Sequence, residues 1–277
     1  MTSSSSATMP DVPPVSRRRA RLGRYSLWQL RDYAVNRGLP TLIVALLFSI
    51  LIVLMSRERN PTGDVTAAMI RRYGSVAAAR AAAMRHDLSV AFITNFLGAY
   101  VFVGAMFATN GIIANDRKLG FYRFLFAKPV APSAYYGAEF VVNGLAFVML
   151  TAGLAVVYGA AVEPVLSLAF IITVAAVYLC YAGLGFALSA VSRWDWLSLV
   201  AVATAAEILW KFYGTSASPF RVLLRLLPPV HRTTDAYAAV ARGMPLPWQS
   251  VLWLAGYGAI AFIAGLAILR HRRLAFN

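Results

Sequence analysis

Residues 138–191 read AEFVVNGLAFVMLTAGLAVVYGAAVEPVLSLAFIITVAAVYLCYAGLGFALSAV, and this stretch decides the fold class. On either side of Glu163 and Pro164 lies a run of about 25 mostly apolar residues, where about 20 suffice to cross roughly 30 Å of hydrocarbon as a helix. The two runs therefore read as a tight membrane hairpin. Their apolar residues are continuous instead of alternating with period two, which argues against barrel strands.

Working outward, four further windows of this kind occur at 40–56, 89–114, 196–213 and 249–269, making six spans with 138–162 and 165–191. Composition agrees. The 277 residues are 60% hydrophobic and 13% charged, with mean hydropathy +0.65, whereas a soluble domain is nearer half apolar. The expected fold is an all-α membrane protein with six transmembrane helices in one domain over 21–277. The opening MTSSSSATMPDVPPVS is Ser/Pro-rich with nothing to bury, so 1–20 reads as a disordered cytoplasmic tail. The first apolar run starts near residue 40, behind an Arg-rich segment, and reads as a retained signal anchor.

Charge orients the spans. Arg17, Arg18, Arg19, Arg21, Arg24, Arg31 and Arg37 precede the first span, and Arg270, Arg272 and Arg273 follow the last. With Arg117, Lys118, Arg123, Lys128 and Arg193, fifteen cations fall on one side against ten in the segments 57–88 and 215–248. The positive-inside rule then puts both termini in the cytoplasm of a cell whose inner (plasma) membrane holds the chain. The net charge of +15 is split between the two faces. It suits topogenesis and lipid headgroups, so membrane lipid is an expected partner and nucleic acid is not.

The search for chemistry returns absences. There is no G-x-x-x-x-G-K-[ST] phosphate loop and no G-x-S-x-G elbow, and His86, His231 and His271 lie outside the spans. Cys180 stands alone in the fourth span, which leaves neither a disulfide framework nor a thiolate metal site. The chain is expected not to be catalytic by itself and to bind no cofactor or metal.

Polar groups inside the spans are the remaining place for a site. Glu207 and Lys211 lie four apart on the fifth span, on one helix face, where they can pair with each other or serve a pathway or gate. Asn95, Asn110 and Asn143 suit interhelical hydrogen bonds of about 1 kcal/mol. Ala155 with Gly159, Gly104 with Ala108 and Ala261 with Gly265 are small pairs four apart that permit close helix packing.

Three segments outside the spans read as structured. TAAMIRRYGSVAAARAAAMRHD (66–87) suggests an outer-face helix interrupted at Gly74. In 219–243, a short apolar turn ends at Pro228 and Pro229, and a second helix starts near Thr234 or Asp235. Before the first span, Tyr25, Trp28 and Arg31 belong to a segment whose aromatics and cations suit an interfacial helix on the inner surface.

The most unusual segment is ANDRKLGFYRFLFAKPVAPSAYYGAEF (114–140), too polar to cross a bilayer and too apolar for an idle loop. Asp116 suits a helix start, and Pro129 stops the helix after about three turns. Phe121, Phe124 and Leu125 fall on one face at i, i+3 and i+4, with Arg117, Lys118 and Arg123 supplying polar contacts. Such a helix can rest on lipid or on a partner.

This run resembles the loop after the second span in permease subunits of type-2 ATP-binding-cassette (ABC) exporters. Asp116 and Arg117 match an acidic-basic pair, Gly120 the glycine about four residues on, Phe124 and Leu125 an apolar pair, and Pro129 with Val130 the closing element. The layout over 20–275 is also similar, including LPP at 227–229. The chain departs from the pattern at Arg123, where members often carry Glu, and at Glu139, where they often carry Lys.

The resemblance implies a permease that forms its pathway as a homodimer or heterodimer. Separate ABC ATPase subunits, carrying ATP and Mg, would dock on a cytoplasmic coupling helix over 116–129. The contact residues would be Asp116, Arg117, Gly120, Phe121, Arg123, Phe124, Leu125 and Pro129. The alternatives are an ion-coupled secondary transporter, which should show broken helices in related halves, and a non-transporting membrane scaffold.

Overall fold

The computed structural model describes residues 67–109, 113, 132–192, 195–214 and 224–271, together with 27, 30, 31, 35, 38, 39, 41–43, 45–47 and 50. Among these residues all regular structure is helical. We label α1 Ala67–Tyr73, α2 Val76–Thr109, α3 Pro132–Ala161, α4 Leu168–Val191, α5 Asp195–Tyr213, α6 His231–Ala241 and α7 Trp248–His271. Five helices are long and apolar enough to cross a membrane: α2, α3, α4, α5 and α7. The chain is therefore a multi-pass membrane protein by helix length and composition. Of the expected first span 40–56, positions 41–43, 45–47 and 50 are helical, and the rest lies outside the described residues. The expected tail 1–20 also lies outside them.

The second span differs from its expectation. Gly74 adopts φ 79°, a left-handed conformation that suits glycine, and it separates α1 from α2. Ser75 then caps α2, its side chain accepting from the Ala78 N–H at 3.1 Å. Nothing between Ser75 and Thr109 breaks the helix, so the part of the Ala/Arg-rich segment after Gly74 is not a separate surface helix. It is the polar beginning of a 34-residue helix that continues through the span, while α1 holds the part before the expected interruption. Residues 92–97 widen into a π-helical stretch, and the helix resumes as α from Gly98. Inserted π turns of this kind are frequent at functional positions.

The other spans start and stop where local chemistry dictates. α3 begins at Pro132, whose missing N–H costs nothing in a first turn. Gly159 permits a tight return at its end, since a Cβ there would crowd the backbone of Pro164 at 3.2 Å. Gly159, expected with Ala155 to permit close helix packing, thus serves the turn into the next span. Ser167 caps α4 by accepting from the Phe170 N–H at 3.1 Å.

α4 is apolar on every side and is the central helix, in contact with α2, α3, α5, α6 and α7. Its most extensive partner is α7. Gly265 fits beside Ala187 there, where an added Cβ would lie 3.1 Å from the Ala187 backbone, the close packing expected at this position. Gly104 on α2 receives the ring of Phe147 on α3, which leaves no room for a side chain.

α6 starts at His231, ahead of the expected cap at Thr234 or Asp235. The Arg232 N–H donates to the Pro229 carbonyl and the Thr233 N–H to the Val230 carbonyl, each at 3.0 Å, so the helix grows directly from the two prolines. No side chain caps it. α6 is no surface helix, for Thr233, Ala236, Tyr237, Ala239 and Ala241 are buried against α2, α4 and α7.

Candidate functional site

Six aromatic rings form a continuous stacked column through the bundle. Tyr158 stacks on Phe92 at 4.0 Å, Phe92 on Phe96 at 5.2 Å, and Phe96 on Tyr100 at 5.7 Å. From Tyr100 the column crosses to Phe147 at 5.3 Å and on to Tyr178 at 4.7 Å. The spacing of four along 92, 96 and 100 aligns three rings on one side of α2, within and just beyond the π stretch. The column thereby joins α2, α3 and α4, and each offset pair contributes about 0.5–1.5 kcal/mol beyond its area burial.

A second tie between α2 and α3 lies nearer the end of α2. The Asn143 Nδ2 donates to the Ala108 carbonyl across the helix gap at 3.5 Å, and Asn143 is buried. This is the interhelical use expected of it. Asn95 is instead exposed on the π stretch, and Asn110 lies outside the described residues. Where α3 begins, Arg270 Nε on α7 donates to Ser133 Oγ at 3.4 Å.

The segment between α2 and α3 spans 110–131, of which only Ile113 is described. Asp116, Arg117, Gly120, Phe121, Arg123, Phe124, Leu125 and Pro129 therefore lie outside the described residues, as do Tyr25 and Trp28. Arg31 is described, helical and exposed.

At the opposite end of the bundle, His86 Nδ1 on α2 approaches Glu163 Oε2 in the α3–α4 turn at 3.9 Å. Both side chains are substantially exposed, and such a pair contributes about 0–1 kcal/mol. α6 is held between α5 and α7 at this same end. His231 stacks on Trp210 of α5 with centroids 3.6 Å apart and planes 9° from parallel. Arg232 lies over the Trp253 ring of α7 at 5.7 Å, and the Tyr257 hydroxyl donates to the Leu226 carbonyl at 3.2 Å. Burial and then the neighbouring Arg232 push the His231 imidazole down to about 4, with Asp235 opposing, so it is neutral at pH 7. Deeper in α6, Tyr237 is fully buried beside Gly98, and its hydroxyl has no hydrogen-bond partner among the described residues.

Glu207 and Lys211 lie close to this junction but outside the packed side of α5. Leu199, Ala203 and Ala206 bury one side of the helix, whereas both charged side chains are exposed. Among the described residues no ion pair joins them to each other or to a third group. Trp210, His231, Arg232 and Tyr237 were not singled out from the sequence as site residues. Only the buried pattern of Thr233, Ala236 and Tyr237 at i, i+3 and i+4 could have hinted at the inserted helix. Among the described residues no three His, Cys, Asp or Glu side chains gather as metal ligands.

No protein-family model and no curated protein matches the chain. One end of the bundle carries a polar segment between helices that are locked together, and the other carries a helix inserted among the spans.

Proposed function

We propose that the chain is the membrane-spanning permease subunit of a type-2 ABC exporter, acting as a dimer and driven by separate ATPase subunits that bind ATP and Mg. The observation that carries this reading is the coupling of α2 to α3 next to the 110–131 segment. The Asn143–Ala108 hydrogen bond, the seating of Phe147 on Gly104 and the aromatic column tie the two helices together. A push on a docking helix between them would then move the pair as a body and change access to a pathway, in place of dissipating in a loop. In this reading the 110–131 segment faces the cytoplasm with both termini, and α6 sits on the outer side of the plasma membrane as part of the gate.

The test is to purify the protein gently from its native membrane and ask whether an ATPase subunit accompanies it in equal copy number. Phe124→Asp with Leu125→Asp is expected to release that subunit while leaving the permease inserted. Emergence of the chain without any nucleotide-hydrolysing partner overturns the reading and turns attention to ion-coupled transport or scaffolding.

A further inference from the structure

The chain that leads into α6 lays two arginines along one side of α7. The Tyr257 hydroxyl donates to the Leu226 carbonyl at 3.2 Å, and the Arg232 guanidinium lies over the Trp253 ring at 5.7 Å. Trp253 and Tyr257 are four apart on α7, so both ties fall on one side of the helix. That side is open: Leu252 and Trp253 are exposed, Leu226 is 73% exposed, and Arg225 beside it is exposed too. Tyr257 stands nine residues after Trp248, about 13 Å along α7, which places the Leu226 carbonyl and the neighbouring Arg225 well inside the span instead of at its edge. A guanidinium at such depth is unfavourable unless it extends to the surface or meets an anion. Among the described residues neither Arg225 nor Arg232 forms an ion pair, and Asp235, three residues on from Arg232, is exposed and does not pair with it.

We propose that an anionic glycerophospholipid occupies this face, its phosphate held between Arg225 and Arg232 and its acyl chains lying against Leu226, Leu252 and Trp253. The choice of occupant follows from charge and depth. A phosphate offers a planar guanidinium two oxygens at once. Arg232 meets Trp253 through the ring, a contact that uses none of the guanidinium N–H donors. A soluble anion must leave water to reach Arg225, whereas a lipid headgroup is carried to the edge of the hydrocarbon by its own chains and lets the arginine stem extend toward it. The bound lipid adds to the hydrogen bond and the cation–π contact that already fasten the entry of α6 to α7. The inference needs only that α7 crosses a bilayer and is independent of any ATPase.

The test places the full chain in nanodiscs of phosphatidylcholine, with or without a minor share of phosphatidylglycerol, and counts the lipid retained on the released protein by native mass spectrometry. The parent should retain phosphatidylglycerol in preference to phosphatidylcholine. R225Q and R232Q should each lower that retention about fivefold, whereas R242Q, exposed at the far end of α6, should leave it unchanged. Arg225→Lys, which keeps the charge, should lose less than R225Q and so separates loss of the anion from loss of the fold. Phosphatidylglycerol should also raise the unfolding temperature of the parent and not that of the double variant R225Q/R232Q. Retention by R225Q and R232Q equal to the parent's overturns the proposal. Equal protection of the parent by inorganic phosphate overturns it too, since the site is then one for a free anion. A parent that retains no phosphatidylglycerol but forms a dimer split by R225Q assigns the face to a second copy, which overturns it as well. Failure of an ATPase subunit to accompany the chain leaves each of these results untouched.

Discussion

Gly183 on α4 and Gly258 on α7 meet backbone to backbone, so that a Cβ on Gly183 would overlap the Gly258 carbonyl and one on Gly258 would overlap Leu179. In lipid, where burial of apolar surface drives helices together only weakly, such approach supplies association through van der Waals contact. Gly183→Val should therefore separate the two helices and abolish a folded product, whereas Gly153→Ala, with nothing within 4 Å of its Cβ, should change stability by less than about 1 kcal/mol. Thermal unfolding of the detergent-solubilised protein separates the two outcomes.

Phe147 is the hinge of the aromatic column and is fully buried. Its replacement by Ala should cost about 3–5 kcal/mol through the cavity left between Tyr100 and Tyr178. Leu145→Ala, two residues away on the exposed side of the same helix, should cost less than about 1 kcal/mol. Equal losses would show that the column does not concentrate packing energy.

Asn143→Ala removes the tie to Ala108 and should destabilise by about 1 kcal/mol or less, the usual range for hydrogen bonds between membrane helices. Its effect on transport should exceed its effect on unfolding if α2 and α3 act as one lever. Measuring ATP-dependent transport beside thermal unfolding decides between lever and brace.

The His231–Trp210 stack should weaken in acid. The imidazole goes from an ordinary value of 6.5 to about 4 in the folded chain, so between these values the unfolded state binds the proton and the folded state does not. Folding stability linked to keeping this buried imidazole neutral is thus fully present above about 6.5 and is lost as pH falls toward 4. Tryptophan emission compared between the parent and Trp210→Phe should change only near pH 4, where the folded imidazole takes its proton, and His231→Phe should remove the change.

Much of the fold was legible because bilayer thickness imposes it. A run of about 20 apolar residues has one solution in hydrocarbon, a helix with every backbone group satisfied internally. The starts and stops of α3, α4, α5 and α7 therefore fall within a few residues of the apolar boundaries, apart from the six-residue extension of α3 back to Pro132. The same argument misplaced the start of α2, since hydropathy marks where the membrane begins and says nothing about a polar helix continuing beyond it. Asn143 was legible too, since a buried amide in a span must find a carbonyl.

What the sequence by itself determined is the class: a multi-pass helical membrane protein whose interior polar groups are few enough to name. Only the tertiary structure decided that α6 inserts among the spans, that His231 meets Trp210, and that Glu207 and Lys211 stand on the open face of α5. The reason is physical. Hydrophobicity specifies that a residue leaves water, whereas contact across helices depends on crossing geometry, set by glycines and rings far apart in the chain.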